Sequence, residues 1–140
     1  NFYQIPHFEL NKIKQGGDFT TAEGELIKNE LLAFPALKSR SYAFCSDTAY
    51  REKIIPIIAE ADLLYHETTF LESEKDLAKK TFHSTITDAC RIAKQANVGG
   101  LLIGHFSARY NDTDYPTFLA QGKEIFNNIE IAKEGKSFSI

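Results

Sequence analysis

The sequence contains no methionine and no tryptophan, and only two cysteines, Cys45 and Cys90. A chain that starts at Asn1 without any Met is expected to be a processed chain or a piece of a longer one. Two Cys are too few for a disulfide scaffold, so a reducing, cytoplasmic setting is expected, with both thiols acting as small buried hydrophobes. No apolar run is long enough for a membrane-spanning helix. An excess of basic charge is also lacking. Lys and Arg number 16 against 19 Asp and Glu, a formal net charge of −3. That balance argues against nucleic-acid binding through global charge alone. The 4 Pro and 8 Gly are scattered and no segment repeats, which excludes collagen-like and low-complexity chains. What is present is a chain of 140 residues, 43% hydrophobic, with 11 Phe and 6 Tyr. That is enough apolar material for a core. Histidine is sparse: His7, His66, His83 and His105.

The pattern of apolar residues predicts a mixed α/β chain. Residues 1–15 mix aromatics with Pro6 and suggest loop and short strand. Gly16-Gly17-Asp18 marks a turn, and residues 18–21 and 25–32 flank Ala22-Glu23-Gly24 as a hairpin. Strands are expected over 40–45, 62–65 and 101–103. Helices are expected over 51–61, 72–80, 84–96 and 115–127. The helix over 84–96 carries the clearest apolar stripe, Ile86, Ala89, Ala93 and Ala96. Its Thr85 and Asp88 have capping-box spacing. The tail, 129–140, is expected to form strand, turn and strand around Glu134-Gly135. Short unbroken apolar strands alternating with helices fit a mixed sheet covered by helices on at least one face.

Three polar clusters follow three of these strands: Ser46-Asp47-Thr48, His66-Glu67-Thr68-Thr69 and His105-Phe106-Ser107. Neighbouring strand ends converge in space, and ligands of α/β sheets bind there. His83-Ser84-Thr85 sits at a helix N-terminus, a position that favours anions. Carboxylates (Asp47, Glu67) and imidazoles (His66, His83, His105) suit a borderline metal such as zinc. Arg109 has the geometry to grip a phosphate. A metal-assisted phosphate-ester hydrolase is the functional reading. Each residue also has a plainer role open to it. Asp47 suits a turn, His66 and His105 a hydrogen-bonded core, Glu67 a structural carboxylate, His83 a position before a helix cap, and Arg109 an ordinary surface. His7 has only Glu9 nearby and is expected to be incidental.

Taken together, four segments resemble the ribonuclease Z family of tRNA 3′-processing endonucleases, within the metallo-β-lactamase superfamily. Cys45-Ser46-Asp47-Thr48 resembles its Gly-Asp-Thr segment, and His66-Glu67-Thr68-Thr69-Phe70 its His-Glu-Ala-Thr-Phe segment. His83-Ser84-Thr85 matches its His-Ser-Thr loop, and residues 104–110, Gly-His-Phe-Ser-Ala-Arg-Tyr, resemble its Thr-His-Phe-Ser-x-Arg-Tyr segment. Order and approximate spacing agree over residues 40–112, with looser likeness in the flanks. The resemblance implies the second half of a metallo-β-lactamase αβ/βα sandwich. It also implies Asp47 and His105 as zinc ligands at a two-ion site, and His83 as the proton-transfer residue beside the scissile phosphate. Glu67 would orient His83, and Ser107 and Arg109 would lie near the RNA 3′ end. The implied reaction is phosphodiester hydrolysis of a tRNA precursor by metal-activated water.

Two departures matter. Ser46 replaces the family's Gly. The motif His-x-His-x-Asp-His, and the further ligand histidine that follows it, are absent. Of the usual ligands only Asp47 and His105 remain, too few for a closed tetrahedral zinc site. Residues 1–140 are therefore expected to be the C-terminal portion of a metallo-β-lactamase-like domain, inactive in isolation. Self-association, or partnering with a missing N-terminal half, is expected, and homodimerisation of the whole is implied by the family. Two other readings stay open: a hydrolase of another phosphodiester or of a sulfate ester, and a non-catalytic binding or dimerisation module.

Overall fold

The structure is a computed structural model that describes residues 3–34 and 39–140. These fall into two compact units, Asn1–Ser39 and Arg40–Ile140. No helix among the described residues is long and apolar enough to cross a membrane.

In the first unit, a 3₁₀ turn at His7–Glu9 leads into the short helix α1 (Leu10–Lys14). This corrects the loop and strand expected there. The predicted hairpin forms, with β1 (Phe19–Thr20) pairing antiparallel with β2 (Leu26–Ile27). Its second arm is short, because residues Asn29–Leu31 turn into a 3₁₀ helix. Ile13, Phe19 and Ile27 form a small core. Asp18 accepts bonds from Lys28 Nζ and the Asn29 backbone N–H, both at 2.9 Å. The bond from Lys28 is the main cause holding the Asp18 carboxyl below its usual range.

The second unit carries a four-stranded sheet in the order β3-β4-β5-β6, built from Tyr42–Cys45, Leu63–Glu67, Leu101–Gly104 and Ile129–Ile131. Every neighbouring pair is parallel. The mixed sheet expected from sequence is thus divided: the antiparallel pairing belongs to the hairpin, and the main sheet is parallel throughout. Parallel neighbours need crossovers, and the helices supply them. These are α2 (Ile55–Ile58), α3 (Lys75–Thr81), α4 (Ile86–Gln95) and α5 (Tyr115–Lys123). The helix expected over 51–61 shrinks to a 3₁₀ turn and α2, because Pro56 can sit only in a first turn. Beyond β6 no second strand forms among the described residues. Gly135, at φ +74°, makes the predicted turn.

Strand residues alternate between faces. Leu64, Leu101, Ile103, Ile129 and Ile131 join Ile86, Cys90, Ile92 and Ala93 of α4 and Phe118 of α5 in one core. Gly122 permits this approach, since a Cβ there would stand 2.6 Å from Ile129 Cδ1. The opposite face carries Tyr42 and Phe44, both exposed. Phe44 stacks on Tyr65 at 4.7 Å between ring centroids. Across the sheet, Gly104 is required by Tyr65, whose hydroxyl would lie 2.7 Å from a Cβ there.

Helix α4 starts as its sequence predicts. Thr85 Oγ1 accepts the Asp88 N–H and the Asp88 carboxylate accepts the Thr85 N–H, a complete capping box. The same Thr85 hydroxyl donates to Glu72 Oε2 at 2.6 Å, which ties the segment before α3 to the start of α4. Helix α3 ends in a left-handed residue, Phe82 (φ 60°, ψ 36°), with the His83 N–H bonded back to the Ala78 carbonyl. Glycine normally fills this position. A side chain with a Cβ costs about 1–2 kcal/mol there.

Candidate active site

The parallel register aligns Cys45 with His66, His66 with Ile103, and Glu67 with Gly104. The C-terminal ends of β3, β4 and β5 therefore lie side by side, and the polar residues that follow them share one edge. Asp47 and His105 both adopt left-handed backbone (φ 56° and 63°) as the chain leaves β3 and β5. Such conformations in non-glycine residues mark sites where geometry is held by surrounding structure. His83 reaches the same edge from the end of α3.

Glu67 organises the site. It is fully buried at the end of β4. Its Oε1 accepts the Thr48 backbone N–H at 3.0 Å and His83 Nδ1–H at 2.8 Å. Its Oε2 accepts the Thr69 N–H at 3.1 Å and the Thr69 hydroxyl at 2.6 Å. The Thr69 oxygen also lies 3.1 Å from His105 Nδ1. A hydroxyl has a single proton, and here it goes to the carboxylate. His105 Nδ1 is then the donor, which leaves its Nε2 with a free lone pair. One carboxylate thus fixes the Asp47 loop through Thr48, His83 directly, and His105 through Thr69. Ser84 adds a further tie, its hydroxyl donating to the Thr48 carbonyl at 2.6 Å.

Asp47, His83 and His105 each offer a ligand atom, all within 4.8 Å of one another. Asp47 Oδ1 lies 4.0 Å from His105 Nε2 and 3.7 Å from His83 Nδ1. Around a tetrahedral zinc ion, donors at about 2.0–2.1 Å stand roughly 3.4 Å apart, a shortening of about 0.6 Å that lies within reach of the exposed Asp47 side chain. Asp47 and His105 therefore fit as part of a metal site, and His83 Nδ1 is already committed to Glu67.

The other sequence candidates take distinct places. Arg109 Nη1 donates to Glu74 Oε2 at 3.3 Å, and its guanidinium lies 5.4 Å from the Phe70 ring centre. Phe70 in turn meets the His83 ring edge-on at 6.2 Å. Ser107 shapes the loop through its backbone, its N–H bonded to the Thr69 carbonyl and its carbonyl to the Tyr110 N–H. His66 sits on the helix-covered face, away from the cluster. Its Nδ1–H donates to the Glu67 carbonyl at 2.7 Å, and its Nε2 has no partner. Burial chiefly holds this imidazole below its usual pKa. His7 is exposed in the first unit. Sequence reasoning did not single out Thr69 or Ser84 as links. Their signal was membership of the same polar clusters as Glu67 and His83.

Comparison with known proteins gives the relationship. No family model matches the chain. The chain is 46% identical over 140 residues to ribonuclease Z of Bacteroides fragilis, covering 100% of this chain and 45% of that protein. It is 47% identical to ribonuclease Z of Phocaeicola vulgatus over the same length and share. The chain therefore spans about half the length of the curated relatives it matches. Among solved structures, the metallo-β-lactamase fold protein YhfI from Bacillus subtilis matches with a TM-score of 0.63 at 29% identity. That match covers 70% of this chain and 39% of the other. The short form of human tRNase Z matches in fold with a TM-score of 0.57 at 24% identity, covering 82% and 36%. By sequence the chain is a relative of the C-terminal part of ribonuclease Z, and by architecture it is part of a metallo-β-lactamase fold.

Proposed function

We propose that residues 1–140 form the C-terminal portion of a zinc-dependent, cytoplasmic phosphodiesterase that cleaves tRNA precursors at their 3′ end. The observation that carries this reading is the buried Glu67 carboxylate, which gathers the Asp47 loop, His83 and His105 into one rigid cluster. Asp47 Oδ1 and His105 Nε2 would hold metal, with the remaining ligands supplied by the preceding half of the chain. Zinc held there would supply Lewis acidity that lowers the pKa of a bound water, and positive charge opposite the substrate phosphate. The Nδ1–H of His83 is held by Glu67, so Nε2 is the atom that exchanges a proton with substrate. Binding also locks the ring orientation, which shortens the search for a productive geometry. Arg109 exchanges its bond to Glu74 for a phosphate oxygen beside the RNA 3′ end, and the loop at Ser107 borders the same end.

The bare aromatic face of the sheet supports the same reading. Tyr42, Phe44 and Tyr65 offer a flat apolar surface suited to a second sheet layer. The lone chain is expected to self-associate through this face, and the full-length protein to form a homodimer. A monodisperse monomer of the lone chain in sedimentation would count against that.

Three measurements test the function. In the full-length protein, His105→Ala should lose zinc and activity together. His83→Ala should retain zinc and lose roughly 10²–10⁴ in rate. Full activity in both variants would reject the site. The 140-residue chain alone, supplied with zinc, should leave a tRNA precursor uncut, and appreciable cleavage would reject the inactivity of the piece. A second reading is hydrolysis of another phosphodiester or of a sulfate ester; the match to YhfI, a metallo-β-lactamase fold protein, means that the fold likeness does not by itself select tRNase Z chemistry. Faster turnover of a small bis-aryl phosphodiester than of a tRNA precursor would favour it.

A further inference from the structure

We propose that a groove lined by His83, together with the exposed Phe82 that precedes His83 in the chain, is a subsite for one nucleotide of single-stranded RNA flanking the scissile phosphate. This rests on the nuclease reading above and adds a location for the strand. The groove has a volume of about 370 Å³ and is lined by Tyr50, Lys75, Lys79, His83, Asp88 and Arg91. Three of these side chains are cationic and one is acidic. The Asp88 carboxylate, held by the capping box of α4, offsets one of them, so cations remain in excess. Lys75 is held by Glu72 at 2.8 Å. Among the described residues, Lys79 and Arg91 have no ion-pair partner. A chain of net charge −3 thus keeps two uncommitted cations beside the candidate proton-transfer residue. Such a groove attracts a phosphate backbone locally, where overall charge does not.

Phe82 is the second, independent observation. It directly precedes His83 and holds a left-handed backbone that glycine would fill without strain. Its ring is 76% exposed, so packing does not offset the strain. Exposed aromatic rings beside a cationic groove are how proteins hold single-stranded nucleic acid without reading its sequence: phosphates meet cations and a base stacks on the ring.

The test uses the full-length protein and a fluorescein-labelled single-stranded RNA pentanucleotide, with anisotropy as the readout. The variant carrying Lys79→Ala and Arg91→Ala should bind about tenfold more weakly. Its plot of log affinity against log salt should flatten by roughly 0.7–1.4, the share of one or two phosphate contacts. Phe82→Gly should raise the thermal midpoint by relieving the backbone, yet weaken binding roughly 5- to 100-fold. Stability and affinity moving in opposite directions separate a binding role from a structural one. Binding within twofold of wild type in both variants would overturn the subsite. A wild-type protein that leaves tRNA precursors uncut would overturn the nuclease reading instead, and pentanucleotide binding would still decide the subsite.

Discussion

Replacing Glu67 by Gln removes one carboxylate oxygen from a site that has four donors and no water-accessible alternative. Turned toward His83, the new NH₂ group would face Nδ1–H of His83 and the N–H of Thr48, now at 2.8 and 3.0 Å from Oε1. The Thr48 N–H would lose its acceptor, and His83 would keep a bond only by moving its proton from Nδ1 to Nε2. Turned toward Thr69, it faces one backbone N–H at 3.1 Å and one hydroxyl at 2.6 Å. The hydroxyl can rotate and accept, so only the N–H is orphaned. That second orientation keeps both the His83 Nδ1–H and the Thr48 N–H bonded to oxygen. A buried donor left unpaired costs about 1–3 kcal/mol, and each remaining bond loses about 1 kcal/mol on becoming neutral. The expected destabilisation is roughly 3–5 kcal/mol. The rotation also has a distant effect. The Thr69 hydroxyl then directs its proton at His105 Nδ1, 3.1 Å away, and His105 must carry its own proton on Nε2. That nitrogen is the one facing Asp47, and a protonated nitrogen cannot bind metal. Loss of such a supporting contact weakens metal binding about 10- to 100-fold. Urea unfolding of the metal-free full-length protein measures the first effect. Chelator competition measures the second, and the imidazole ¹⁵N shifts of His105 report its tautomer. Stability within about 0.5 kcal/mol of wild type, with unchanged zinc affinity and an unchanged tautomer, would refute the relay.

Three further outcomes follow from the packing. Gly104→Ala should destabilise by about 1–3 kcal/mol, because its Cβ meets the Tyr65 hydroxyl at 2.7 Å. Tyr65→Phe should restore part of the loss in a double-mutant cycle, and additive effects would show that the clash lies elsewhere. Burial holds His66 below the ordinary imidazole range, so the unfolded chain binds the proton first as pH falls. Stability is intact above the unfolded-state value of about 6.5 and is lost below it as pH falls toward the folded-state pKa. His66→Asn, which keeps a donor for the Glu67 carbonyl, should flatten the fall in urea midpoint below about pH 6.5; equal slopes would refute the assignment. The Cys90 thiol is fully buried and pushed up to about 12 by that burial. It should resist iodoacetamide at mildly alkaline pH until denaturant is added. Prompt labelling of Cys90 in the native state would contradict this packing.

Much of the second unit is legible along the chain because its signals are local. The periodic stripe of α4 and the Thr85–Asp88 spacing depend on neighbours three and four residues apart, and both appear in the structure. β5 and the first part of β4 stand out as the unbroken apolar runs that a helix-covered parallel sheet needs, and the edge strand β3 as a short aromatic run. The hairpin around residues 22–24 is visible for a similar reason, its turn residues lying between two apolar stretches. Two expectations fail where local signals compete. Pro56 limits α2 to a few residues. Residues 10–14 form a helix whose apolar contact, Ile13 against Phe19 and Ile27, comes from farther along the chain.

The candidate site divides along the same line. Residue identity and order alone single out Asp47, Glu67, His83 and His105 as chemically capable. The sequence does not say that they meet. That depends on the parallel register of β3, β4 and β5, which brings segments far apart in the chain to one sheet edge. The resemblance gives Glu67 a role and His66 none, but residue chemistry by itself does not separate these adjacent polar residues. The pleat separates them, sending His66 under the helices and Glu67 into the cluster. The role of Thr69 is likewise tertiary, since a hydroxyl shared between a carboxylate and an imidazole exists only once both arrive. Sequence determined which groups were available, because chemistry resides in side chains. Tertiary structure decided which nitrogen of each histidine stays free, because tautomers are set by hydrogen-bond partners drawn from different strands.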